Sequence, residues 1–243
     1  MYSTYGERPD GKPYSYLPFP FPVPECPGNK LVVFDEFSPA ETATLARIIQ
    51  TAEYKRLAKS ETAYYRAYWL AKKLGRPQPQ ALGLLLPAIW QVSPGEMSAA
   101  DTEKTRQQMR RYQDTFVREV RQLGSSVEAK DQVWLQARAA NAARQMKNYG
   151  EAERLRKKAE QSLASVPEKG GWGTYLEKLQ GVIARRDDSV EPLDMIPPGQ
   201  VAHTCLREEP SSAFARATCA KPEVAKQVEE LRKARQRTDE TQP

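Results

Sequence analysis

Few residues in this chain have side chains that could drive covalent or metal chemistry. His203 is the only histidine, two residues before Cys205, and the other cysteines are Cys26 and Cys219. A thiolate beside an imidazole is a nucleophile pair, and three cysteines with one histidine are a zinc ligand set. Neither has its frame here. No glycine-rich loop or strand-turn accompanies His203 and Cys205, and the four residues fit no short ligand spacing. The carboxylates fall on polar helix faces, and no phosphate-binding glycine loop is present. We therefore expect no catalytic residue, no metal and no cofactor.

Cys205 and Cys219 leave a structural question. They either bridge across a short loop in an oxidising compartment or stay free in a mobile tail. Met1–Glu7 has no basic n-region and no apolar h-region. The chain as given thus reads as cytoplasmic with free thiols. A start further upstream would make it periplasmic or secreted.

Binding chemistry is better represented. Arg138, Asn141, Arg144 and Gln145 recur at three, three and one residues, placing long polar donors on one region of a helix. Such donors suit an extended peptide or an acidic terminus. Two other helices carry Arg106, Arg110, Arg111, Arg118 and Arg121, and Arg154, Arg156, Lys157 and Lys158. Both runs are interleaved with acids, the pattern of solvated faces with ion pairs one turn apart. Nucleic acid is the weaker reading, since it would need these arginines on one stripe. An enzyme with a site under the N-terminal segment would need Tyr64, Tyr68 and two carboxylates around one deep pocket. The net charge of +6 and pI near 9.1 permit acidic partners without requiring one. No run of 18 apolar residues exists, so no membrane-spanning helix is expected.

These donors need helices to position them. Residues 1–30 carry seven prolines, and Pro18, Pro20, Pro22 and Pro24 alternate with Phe19, Phe21 and Val23. Proline fixes φ and removes a donor, so this segment reads as an extended arm, with residues 14–27 laid on aromatic helix 61–75. Ser38-Pro39-Ala40-Glu41 is a capping box with proline in the first turn. Further helices follow from Thr51, from Ser60 or Thr62, and over 79–92, 99–123, after a second capping box at Ser125–Glu128, from Ala152 to Leu163, and from Trp172. After Asp187, Pro192, Pro197, Pro198 and Gly199 argue for an irregular segment, with one short helix over 222–236 in a polar tail.

Two helix pairs share a layout. Ala81 and Ala88, then Ala152 and Ala159, stand seven apart, and Pro94 and Pro167 close each pair. The pattern resembles the tetratricopeptide repeat, with Ala140 where glycine is usual and Arg156 where an aromatic is usual. Phe37-Ser38-Pro39-Ala40-Glu41, Glu61–Leu70 and Leu74-Gly75-Arg76-Pro77 resemble an uncharacterised bacterial family with such helices. The segment Trp134–Ala152 and the phrase Glu191–Ile196 fit it as well. The resemblance implies a fold over about 12–206 and supplies no activity. The expected fold is all-α: antiparallel helical hairpins in a short tetratricopeptide-like solenoid or bundle over 31–187. An extended arm over 1–30 precedes it, and an irregular segment with a largely disordered tail over 188–243 follows. The expected function is a noncatalytic interaction or scaffold protein with Arg138, Asn141, Arg144 and Gln145 lining its groove.

Overall fold

The computed structural model describes residues 4–94, 102–207, 209–210 and 212–241. Eleven helices and one two-stranded hairpin make up its regular structure among these residues. α1 (Pro39–Ile48) starts where its cap dictates: the Ser38 hydroxyl accepts from the Glu41 amide, and the Glu41 carboxylate accepts from the Ser38 amide. Thr51 and Thr62 cap α2 (Ala52–Ser60) and α3 (Ala63–Lys73) through their hydroxyls. Then come α4 (Gln78–Val92), α5 (Glu103–Arg121), α6 (Ala129–Gln145), α7 (Tyr149–Leu163) and α8 (Trp172–Ala184). The expected start of α5 at Ala99 lies outside the described residues, and Thr102 caps the helix. Ser125–Glu128 does not form its capping box. Glu128 is itself the N-cap of α6 without a side-chain bond, while the Val127 amide closes a turn on the Gly124 carbonyl.

Each helix from α3 to α8 packs on its sequence neighbours. α6 also touches α4 and α8, so these three share one side of the array. Leu82, Leu85, Phe116, Leu135 and Leu179 are fully buried between the layers. Each such side chain contributes roughly 1.5–3 kcal/mol relative to exposure. Ala137, Ala140, Ala152 and Ala159 are also fully buried. With no side-chain bulk to separate the backbones, α6 and α7 make the most extensive helix pair. A smaller cluster of Leu45, Ile49, Tyr54 and Leu70 joins α1 and α2 to α3.

The first part of the N-terminal segment is a hairpin rather than a plain extended chain. β1 (Thr4–Glu7) and β2 (Pro13–Ser15) pair antiparallel. The loop between them closes through Arg8 N–H to the Lys12 carbonyl, Gly11 N–H to the Arg8 carbonyl and Lys12 N–H to the Asp10 carboxylate. Gly11 sits at φ +85°, a conformation that favours glycine. Beyond the hairpin, polar groups of the helices hold the proline-rich stretch by its carbonyls. Tyr64 donates to Phe21 O (2.9 Å), and Tyr54 and Arg66 both donate to Lys30 O. Phe19, Phe21 and Val23 are half-buried, while Leu17 is exposed.

Residues 188–197 contain no helix or strand, helices begin again at Pro198, and the helix expected over 222–236 is part of a longer one. α9 (Pro198–Arg207), α10 (Ala213–Cys219) and α11 (Pro222–Thr241) follow one another. Pro198 opens α9 rather than breaking it, because the first helical position needs no amide donor. A disulfide joins Cys205 of α9 to Cys219 of α10, which corrects the free-thiol expectation. No helix among the described residues is long and apolar enough to cross a membrane.

Candidate functional site

The site is best built from Arg138, in the middle of α6. Its guanidinium lies 5.2 Å from the Trp172 ring centroid and 5.0 Å from that of Tyr175, both on α8. Aromatic faces attract a planar cation and leave its edge free for hydrogen bonds. One terminal nitrogen donates to the Pro9 carbonyl at 2.6 Å, and the other to the Glu7 carboxylate at 2.6 Å. The Tyr175 hydroxyl donates to the same Pro9 carbonyl at 2.6 Å. From α4, the Trp90 indole donates to the Asp10 carbonyl at 3.1 Å, and the Ser93 hydroxyl accepts from Arg8 at 2.8 Å. The shared side of α4, α6 and α8 therefore holds the hairpin loop by the Pro9 and Asp10 carbonyls and by the Glu7 and Arg8 side chains.

Arg8, Asp10 and Lys12 are buried in this contact. Arg8 pairs with Asp10. Burial opposes the Asp10 charge, but Arg8, the Lys12 amide and Arg138 outweigh it and hold the carboxyl below its ordinary value. Burial pushes the Tyr175 hydroxyl up against the pull of Arg138, keeping it a neutral donor. A Cβ on Gly11 would lie 3.0 Å from Arg138 Nε, so the loop backbone approaches the guanidinium too closely for any other residue without a shift.

The four expected groove residues are not an open surface. Arg138, Asn141 and Arg144 are buried and Gln145 is half-buried. Arg144 donates to the Asp187 and Ser189 carbonyls just beyond α8 and to Asn141 Oδ1 on its own helix. Burial lowers its pKa, with Asp187 pulling the other way. Gln145 accepts from Gln113 of α5. Arg138 thus faces the hairpin, Arg144 fixes the chain leaving α8, and Gln145 ties α6 to α5. Sequence reading missed Trp90 and Tyr175 as partners of that loop, although Pro9-Asp10-Gly11 is a turn signature in plain view.

An open cavity of about 640 Å³ is lined by Glu7, the partner of Arg138, and by Trp172, Thr174, Tyr175, Lys178 and Met195. The arrangement named for an enzyme is not assembled among the described residues. Tyr64 bonds the Phe21 carbonyl, while Tyr68 lines a separate cavity whose one carboxylate, Glu119, pairs with Lys72. On the basic helices, Arg106, Arg118, Arg154 and Arg156 pair with acids one turn away, and Arg111 pairs with Glu61. Comparison with family models, curated proteins and solved structures finds no match for this chain. The resemblance carried by Phe37–Pro77 therefore rests on sequence motifs alone.

Proposed function

We propose that this protein is a noncatalytic helical scaffold that binds peptide on the side shared by α4, α6 and α8. One observation carries the reading: that side already holds a peptide turn, residues 7–11, by two carbonyls and a carboxylate. A surface that satisfies buried main-chain groups this way is suited to segments whose own hydrogen bonds are unmade. Contacts of α6 with both α4 and α8 support the tetratricopeptide-like stacking of two degenerate hairpins, α3–α4 and α6–α7. Lys178, exposed and lining the cavity, favours an acidic partner running past Trp172. The Cys205–Cys219 bond favours an oxidising compartment over the cytoplasm.

Photo-crosslinking from position 174 tests this. The wild-type chain captures an acidic peptide segment, and Lys178→Glu at the exposed rim reduces capture about tenfold, a loss of ~1.4 kcal/mol in affinity, without lowering the melting temperature. Equal capture by both chains overturns the reading.

A further inference from the structure

The hairpin loop has the form of a ligand seated in a receptor. Arg8-Pro9-Asp10-Gly11 make a β-turn closed by Gly11 N–H to the Arg8 carbonyl at 2.8 Å, with proline second and glycine fourth. Residues 8–10 are buried while β1 is exposed along its length, so the turn is engaged more than the strand. Each position of the turn meets a group that selects it. The Arg8 guanidinium donates to Ser93 Oγ at 2.8 Å and to the Pro94 carbonyl at 3.1 Å, both just past α4. Asp10 neutralises Arg8 and accepts from the Lys12 amide at 3.1 Å, which holds the turn in shape. The Pro9 carbonyl takes the Arg138 and Tyr175 donors, and Gly11 leaves room for the Arg138 guanidinium. The arm behind the loop has anchors of its own. Tyr64 holds the Phe21 carbonyl, and Tyr54 and Arg66 hold that of Lys30. The loop can therefore leave while the arm stays on α2 and α3.

We propose that the shared side of α4, α6 and α8 recognises an Arg-Pro-Asp-Gly turn, and that the chain's own hairpin occupies it in competition with the same turn on a partner protein. This rests on the reading of that side as a peptide surface and names the chemistry of what it binds. A partner seated in this way places its arginine on Ser93 and Pro94 and its turn carbonyls on Arg138, Tyr175 and Trp90. The residue before the arginine then lines the cavity with Lys178, where Glu7 stands now. An acid at that position pairs with Arg138 as Glu7 does.

Tethering sets the scale of the competition. A loop on a short arm sits at an effective concentration of about 1 mM. Docking about 99% of the time then corresponds to a dissociation constant of about 10 µM for the same turn offered in trans, raised to about 1 mM by the hairpin already in place. Gly11→Ala weakens the hairpin through its positive φ and its close approach to Arg138, and leaves every side chain of α4, α6 and α8 as it is. A roughly thirtyfold weaker hairpin brings the apparent constant to about 40 µM, a gain of about 25-fold.

Fluorescence anisotropy of a dye-tagged peptide of residues 4–15, titrated with the full chain, decides it. The Gly11→Ala chain binds the peptide about 25-fold more tightly than the wild-type chain. Arg8→Ala in the chain, which loosens the hairpin at Ser93 instead, shifts peptide binding in the same direction. Peptides carrying Arg8→Ala or Gly11→Ala bind the Gly11→Ala chain about tenfold more weakly than the native peptide. In the wild-type chain, peptide at about 1 mM raises hydrogen exchange at the Arg8 and Gly11 amides about tenfold or more, because the displaced turn loses its protection. Three results overturn the proposal: no binding by either variant with unchanged exchange in the wild type, equal affinity of all three chains, or equal binding of native and altered peptides. Photo-crosslinking from position 174 does not require the hairpin to leave, so the peptide reading of the cavity beside Trp172 stands or falls separately.

Discussion

The two ends of this chain are attached to the helical array in opposite ways. The hairpin loop at the N-terminal end is five residues long, yet Arg8, Asp10 and Lys12 are buried, and α4, α6 and α8 all contribute hydrogen bonds to it. The C-terminal pair α10 and α11 is far longer and wholly helical, but Val224 is its only buried residue among those described. It is fastened by the Cys205–Cys219 bond and by Phe214, whose ring centroid lies 4.1 Å from the Arg185 guanidinium. Regular secondary structure is thus no measure of attachment here. A short irregular loop whose polar groups are desolvated and satisfied is bound more tightly than two exposed helices.

Removing the centre of the N-terminal contact has the largest expected effect. Arg138→Ala leaves the Pro9 carbonyl with Tyr175 alone and the Glu7 carboxylate without its partner, and costs about 3 kcal/mol in urea unfolding. A loss below about 1 kcal/mol would mean the hairpin is held no better than the tail. Gly11→Ala comes next. The positive φ and the 3.0 Å approach to Arg138 Nε place the cost at about 2 kcal/mol, with the loop rather than the helices losing amide protection. The C-terminal pair gives the smallest effect on the core. Reducing the disulfide exposes Lys221 and Lys226 to trypsin about ten times faster, yet shifts the unfolding of α1–α8 by no more than about 0.5 kcal/mol. A shift near 3 kcal/mol, the scale of a cross-link closing about 15 residues, would make α10 and α11 part of the cooperative core.

Local chemistry is legible in the order of residues along the chain. Ser38, Thr51 and Thr62 start helices because a hydroxyl satisfies an amide three residues on, and that bond needs nothing distant. The apolar spacing of Leu82, Leu85 and Ile89, and of Tyr112 and Phe116, marks the buried faces for the same reason. Pro198 misleads because a proline ends one element or begins the next, and its neighbours alone do not decide which.

The residues of the candidate site are half legible. Arg138, Asn141, Arg144 and Gln145 are identifiable as donors by type and spacing, but whether a donor meets water or the chain depends on what arrives from elsewhere. Arg138 meets residues 7 and 9, and Arg144 meets 187 and 189, partners separated by 43 positions or more. No window along α6 contains them. The same holds for Cys205 and Cys219, whose spacing permits a bond that only the packing of α10 back onto α9 brings within reach. The sequence by itself determined where helices begin, which faces are apolar and which side chains can donate. Tertiary structure decided which donors are desolvated and by whom they are satisfied, because burial is a property of contacts between distant segments.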